Sequence, residues 1–397
     1  MLPAICTCDT TRENWELRRE ELVELFRNYV YGRRPELDYQ VSSCLVSSTP
    51  ALEGKALRQM HQVTVSTIRG SVTMELALVL PVGVEKAPVV MLLSNHDREK
   101  LPTAPPDMRV MEKVFREAPA QWRESTQRML GELTKGGMPG PDFLDIARDD
   151  HVGYWAVDEI IASGRAAAAF YASQAQLDDK TQFPGGLAAL FLDPEAPRAP
   201  DGWGTLGVWA FAASCMVDVL EKHPAVDGKK ISLGGHSRGG KAALWCAAQD
   251  PRIHAVLVNN SGCSGAAVSR GKQGEVVASI NACFPHWFCP NYEAFSWKED
   301  QMPFDQHMLL ATVAPRLCCV TSGSEDLWSD PEAEWLGAKE AGAAWQLFGF
   351  EGLTGNAPAP GEASYDSPIA YHKRDGGHDL TQWDWKGFMT FLDKHCG

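Results

Sequence analysis

Residues 235–239 read Gly-His-Ser-Arg-Gly, a serine with a glycine two positions away on each side. The strand-like run KKISLGG (229–235) precedes it, and the helix-like run RGGKAALWCAAQD (238–250) follows. Where a strand turns sharply into a helix at G-x-S-x-G, the serine hydroxyl is exposed on a strained backbone, and small neighbours let strand and helix pack closely. Ser237 is therefore the candidate nucleophile. A phosphate-cradling loop is the rival reading, and it fails because Lys241 is followed by alanine instead of Ser or Thr.

A serine nucleophile needs a base, an acid to hold that base, and donors for the oxyanion. On an α/β-hydrolase scaffold the order along the chain is serine, acid, histidine. Of the 11 histidines, His378 in RDGGHDLTQWDW combines a late position with a glycine-preceded loop before a closing helix. His236 is fixed inside the elbow and suits packing or the oxyanion side, while His372 and His395 suit structural roles. For the acid, SGSEDLWSDPEAEW offers Glu325, Asp326 and Asp330. Asp326 lies just past a strand end, where a carboxylate can orient His378. Asp330 is the second choice, because Ser329-Asp330-Pro331-Glu332 reads as a helix start capped by Ser329, with Glu332 closing a capping box. Oxyanion donors are expected from the backbone N–H of Arg238 and from the loop at Asn95 and His96, which sets Asn95 against the substrate. The Arg238 guanidinium is either a further charged donor or a salt-bridge partner on the first helical turn. Arg238 and Lys241, three apart, share one helix face beside Ser237.

These residues need a scaffold, and its elements are legible. Residues 11–32 carry Trp15, Leu17, Leu22, Leu25, Phe26 and Val30 at helical spacing and predict an N-terminal helical arm within 10–34. Strand-like runs follow at 39–48, 61–68 and 71–81, the last two flanking a hairpin at RGS, and APVVMLLSN (87–95) reads as a strand buried on both faces. Residues 96–150, rich in proline and weak in pattern, read as an insertion or lid with one amphipathic stretch near 121–134. Beyond them, strands at 165–172, 229–235, 254–260, 317–323 and 369–374 alternate with helices at 203–223, 238–250, 304–316, 331–342 and 379–395. That alternation predicts a single α/β domain over 1–397, a three-layer αβα sandwich around a mostly parallel, doubly wound sheet.

Composition narrows the function classes. With 44% apolar residues the chain can bury a large core, and its net charge of −14 opposes a nucleic-acid partner. No run of 18 apolar residues predicts a membrane span. Cys6 and Cys8 form a C-x-C without a second pair at zinc spacing, so neither a metal nor a cofactor is expected. The 11 scattered cysteines, many within apolar runs, and the lack of a leader-like start predict a cytoplasmic protein. Oligomeric state is not legible.

Several longer stretches carry a family resemblance: YVYGRRPE (29–36), GGHSRGGKAAL (234–244), VNNSGCSGAA (258–267), GEVVASINACFPHWFCPNY (274–292), FDQHMLLATVAPR (304–316), SGSEDLWSDPEAEWLGAKEA (322–341) and GGHDLTQWDW (376–385). Together they resemble the glucuronoyl esterases, in particular their bacterial members, over most of the chain. The resemblance implies Ser237 as nucleophile, His378 as base and Arg238 at the oxyanion. It also implies Lys241 bonding sugar hydroxyls, with Glu275 and Trp328 as further sugar contacts. Many family members carry a catalytic glutamate just before a Ser-Gly pair. Here that slot holds Asn260, so the acid must come from the Asp326 region. The expected activity is hydrolysis of a small-molecule or oligosaccharide ester, foremost a uronic-acid ester. An O-acetyl esterase of sugars is the rival within the same chemistry, and a non-catalytic carbohydrate-binding relative is the rival outside it. Among the aromatic residues, Trp383 and Trp385 are expected in the core, while Phe284, His286, Trp287 and Phe288 divide between pocket wall and packing.

Overall fold

The computed structural model describes residues 1–95, 108–122, 124, 127 and 153–396. Among the described residues ten strands form one sheet: β1 Gln40–Ala51, β2 Ala56–Thr67, β3 Gly70–Pro81, β4 Ala87–Ser94, β5 Ala166–Tyr171, β6 Val226–His236, β7 Ile253–Asn259, β8 Leu317–Gly323, β9 Glu362–Ser364 and β10 Ile369–Arg374. Their order is β1-β2-β3-β5-β4-β6-β7-β8-β10-β9. From β5 through β10 neighbours run parallel, whereas β1, β2, β3 and β9 pair antiparallel. The sheet is thus mostly parallel and doubly wound.

The apolar runs explain which strands are central. β8 is buried throughout and β4 nearly so, as continuous apolar strands covered on both faces must be. Alternate residues of β4 enter two separate cores. Val89, Met91 and Leu93 join the helices Thr205–Leu220, Arg238–Gln249 and Pro331–Gln346, while Val90 and Leu92 join Val157–Ala162 and the closing helix Gln382–Cys396. Two helical layers therefore sandwich the sheet. At the edge, β1 is exposed over most of its length and pairs with β2 through a bulge between Leu45 and Ser47.

Several expected boundaries move. The arm forms a helix over Trp15–Tyr29, but Leu17 is 74% exposed and Val23 is buried in its place. Trp15 Nε1 donates to Ala314 O at 3.1 Å, which ties the arm to the main core. The helix expected over 304–316 spans only Gln306–Ala311: Thr312 Oγ1 turns back to Leu309 O at 2.6 Å, and Pro315 cannot continue the ladder. Within 96–150, the helix Met108–Arg116 is described, and its Met111 and Phe115 pack on Val276 and Ala278. Residues 117–122, 124 and 127 are described as well, and the remainder of that stretch, with most of the amphipathic run near 121–134, lies outside the described residues.

β4 has β5 on one side and β6 on the other. Connections leaving the carboxyl ends of β4 and β6 therefore diverge to opposite faces, and the crevice this opens is where open α/β sheets bind ligands. Asn95 follows β4, and Ser237 follows β6.

Candidate active site

Ser237 has φ 55° and ψ −124°, a backbone conformation that costs about 1–3 kcal/mol for a residue with a side chain. The surroundings enforce it. Ser237 N donates to Asn259 O at 2.9 Å, and a Cβ on Gly235 would stand 2.3 Å from Gly239 O. A Cβ on Gly239 would stand 2.9 Å from Leu93 O and 3.1 Å from Asn95 Oδ1. Only glycines fit there, and the same contact places Asn95 against the elbow. The helix begins at Arg238, so the N–H of Arg238 belongs to the first-turn donors that have no partner within a helix and lies at the positive end of its dipole.

His378 and Asp326 meet as expected. His378 Nδ1 lies 2.6 Å from Asp326 Oδ2, and Asp326 is buried. The same oxygen accepts from Asn260 Nδ2 at 2.6 Å, and Oδ1 accepts from Ser329 N at 3.1 Å. Burial raises the Asp326 carboxyl, but His378, Ser329 and Asn260 outweigh it and hold the group well below the usual carboxylate range. Asn260, in the slot where relatives were expected to place a glutamate, here steadies the Asp326 carboxylate. His236 is buried, its Nδ1 2.6 Å from Asn259 Oδ1 and its ring centroid 4.5 Å from that of His378, so it supports the His378 ring by packing.

Asp330 is engaged elsewhere, for a reason that differs in detail from the sequence reading. The helix cap is Asp330 itself, not Ser329: its side chain accepts from Ala333 N at 3.1 Å, with Pro331 beginning the helix. Proline prefers the first helical position, which fixes the residue before it as the cap. Asp330 also accepts from Gln273 N at 2.6 Å. Ser329 instead bonds Asn260 O at 3.2 Å and approaches His378 Nδ1 at 3.3 Å. Glu332 closes no capping box and pairs with Lys373 at 2.8 Å.

On the other flank of Ser237, Arg238 Nη1 meets Asp178 Oδ2 at 2.5 Å. Asp178 also accepts from His286 Nε2 at 2.8 Å and Trp287 Nε1 at 2.6 Å. Burial works upward on this carboxyl, yet Arg238, His286 and Trp287 bring it down to about 2. The guanidinium carbon lies 4.7 Å from the Trp287 ring centroid and 5.4 Å from that of Phe284, two rings stacked 3.7 Å apart. Lys241 Nζ lies 5.9 Å from the same Trp287 ring, so the two cations share a face as their spacing predicts. Phe284, His286 and Trp287 thus form the wall under Arg238, while Phe288 packs with Tyr31 and Tyr292 in the core. Asp178 was not legible in the sequence, where it stands beside an equivalent-looking Asp179.

Lys241 and Glu275 are both buried. Burial pushes the lysine down, with Glu275 acting against that shift. Burial pushes Glu275 up, with Lys241, Lys272, Arg238 and His378 pulling the other way, which places the carboxylate among the cations of the site. Glu275 N donates to Trp328 O at 2.9 Å, and Trp328, half-buried, packs with Val276 and Phe115. Trp385 is fully buried, but Trp383 is 39% exposed and covers His372 edge-on. Among the described residues no three His, Cys, Asp or Glu side chains converge to hold a metal ion.

A strained serine at a switch point, with a half-buried histidine that bonds a buried aspartate and packs on the residue preceding that serine, has the groups to form and hydrolyse an acyl intermediate. Carbohydrate esterase MZ0003 of an unknown prokaryotic organism is 34% identical over 391 residues, which cover 97% of this chain and 86% of that protein. The family model "Glucuronyl esterase, fungi" matches residues 198–349, which include the elbow, Asp326 and Trp328. Among solved structures, a glucuronoyl esterase from Solibacter usitatus superposes with a TM-score of 0.82 at 32% identity, covering 100% of this chain and 98% of that one. The chain belongs to the glucuronoyl esterase family. The 4-O-methyl-glucuronoyl methylesterase 1 of Phanerochaete chrysosporium is 30% identical over 164 residues, 39% of this chain and 35% of that protein. This glucuronoyl esterase family member is a carboxylic ester hydrolase with the α/β-hydrolase fold.

Proposed function

We propose that the protein hydrolyses esters of uronic acids, the acyl half being a glucuronoyl group, through an acyl-enzyme on Ser237. The His378–Asp326 contact of 2.6 Å, with His378 packed on the residue that precedes the strained serine, carries this reading. Ser237 Oγ attacks the ester carbonyl as His378 takes its proton, and Asp326 stabilises the imidazolium that forms. The oxyanion accepts from the Arg238 N–H at the helix start. His378 then protonates the leaving alcohol and later activates the water that frees Ser237. Lys241 and Glu275 offer a donor and an acceptor to sugar hydroxyls, and Trp328 offers an apolar wall. The names of the fungal relatives, 4-O-methyl-glucuronoyl methylesterases, support the choice of acyl group. The buried thiols, among them Cys215, Cys246, Cys318 and Cys319, support our placing of the protein in a reducing compartment.

The test compares a methyl or benzyl ester of glucuronic acid with 4-nitrophenyl acetate, using Ser237→Ala as control. Preference for the glucuronate ester, abolished in the variant, is the expected result. Turnover of acetate alone would move the protein to sugar O-acetyl esterases.

A further inference from the structure

His378 sits on a loop whose sequence, Asp375-Gly376-Gly377-His378-Asp379, gives the backbone little stiffness of its own. A base on such a loop needs outside support. Arg374, the last residue of β10, supplies it: Nη1 donates to Asp375 O at 3.0 Å, and Nη2 donates to Gly377 O at 2.6 Å and Asp379 O at 3.2 Å. The carbonyls immediately before and after His378 therefore accept from one guanidinium nitrogen. Arg374 is itself held. Its Nε lies 3.0 Å from Asp384 Oδ2, an ion pair without hydrogen-bond alignment, to a carboxylate with no exposed surface in the first turn of the closing helix. Asp384 Oδ2 also takes Thr381 N and Thr381 Oγ1, each at 2.9 Å, while Oδ1 lies 3.3 Å from His372 Nε2. On its other side the loop rests on β8: Glu325 N donates to Gly376 O at 2.9 Å, and a Cβ on Gly323 would stand 2.2 Å from Gly377 O.

We propose that Arg374, anchored by Asp384, is a positioning residue for His378, fixing the backbone on both sides of the base so that the imidazole keeps its contact with Asp326. This inference rests on the reading of His378 as the base. A lysine could not substitute, because a single ammonium cannot meet Asp384 and reach both flanking carbonyls as a planar fork does. Neither residue touches the substrate in this scheme.

The test measures kcat and KM on methyl glucuronate for wild type, Arg374→Ala, Arg374→Lys and His378→Ala, with thermal unfolding of each. It also follows the proton resonance of His378 Nδ1–H in the 15N-histidine-labelled full-length protein, assigned by its loss in His378→Ala. For Arg374→Ala the expected result is a fall in kcat of about a hundredfold, the cost of a misplacement near 1 Å, with KM changed by no more than about twofold and the resonance lost. Arg374→Lys, which keeps the charge beside Asp384, covers the case in which Arg374→Ala does not fold, and its kcat is expected to lie between those of wild type and His378→Ala. Wild-type kcat in a folded variant, or a lower kcat with the resonance intact, overturns the proposal. If His378→Ala itself retains wild-type kcat, the base assignment fails, a result distinct from failure of Arg374 alone.

Discussion

Asp326→Asn tests the acid most directly, because the carboxylate is surrounded by donors. Oδ2 accepts from His378 Nδ1 and Asn260 Nδ2, both at 2.6 Å, and Oδ1 accepts from Ser329 N at 3.1 Å. An asparagine has one acceptor oxygen, so either orientation sets an amide N–H against a donor. With its nitrogen toward Ser329 it loses a backbone bond. With its nitrogen toward His378 it drives the imidazole into the wrong tautomer. In both, the charge that stabilises the imidazolium is gone. Loss of the triad acid with geometry retained lowers kcat by about 10⁴, or about 5.4 kcal/mol of transition-state stabilisation. KM should change little, because Asp326 is buried behind His378 and does not meet the sugar. Titrating the acid released from methyl glucuronate at constant pH gives both constants, and thermal unfolding checks the fold. Asp330→Ala is the comparison: loss of the helix cap and of the bond from Gln273 N costs about 2–3 kcal/mol of stability and leaves kcat near wild type. Retention of more than about a tenth of wild-type kcat in Asp326→Asn would overturn the assignment of this carboxylate as the acid. So would a kcat loss confined to Asp330→Ala.

Asp178→Ala removes the anion that faces Arg238, leaving a largely buried guanidinium unpaired, and should cost about 3–5 kcal/mol of stability as well as lower kcat. Urea unfolding and steady-state kinetics check both effects, and unchanged values in each would show that Asp178 does not hold Arg238. Glu334, fully buried, accepts from Ser261, Gly262 and Ser322, and burial pushes its carboxyl up from 4.5 to about 7. Between those values the native state binds more protons than the unfolded chain, so stability present at low pH is lost as pH rises to 7, by up to about 1.4 kcal/mol per unit. Glu334→Gln should flatten that slope in urea unfolding, and identical slopes for variant and wild type would contradict the assignment.

Legibility in the sequence followed the range of the interactions involved. The elbow is written locally, since Gly235, Gly239 and the flanking strand and helix all lie within one turn of Ser237. The parallel strands show as unbroken apolar runs, and the order of serine, acid and histidine follows from the fold class. Misreadings arose where two local rules competed. Ser329 and Asp330 are both good caps, and only the preference of Pro331 for the first helical position decides between them. The three residues of β9 are too few to show a period. Residues that act through distant partners left no local trace. Asp178 reaches Arg238 across 60 positions, and nothing around it separates it from Asp179, which caps its own short turn by accepting from Thr181. Arg374 and Asp384 flank the histidine loop in sequence, but their role appears only once the guanidinium is seen to fold back over the carbonyls.

The two edges of the sheet differ in what they offer to another chain. At one edge β9 is three residues long, too short to template a partner. At the other, β1 runs for twelve residues with Leu45 and Val46 exposed, a length that invites strand addition and aggregation. The bulge between Leu45 and Ser47 bends this edge at its middle, and Pro50 removes a donor near its end. An incoming strand therefore finds only short stretches in register. Colloidal behaviour, as much as the catalytic crevice, constrains what residues 40–51 can become.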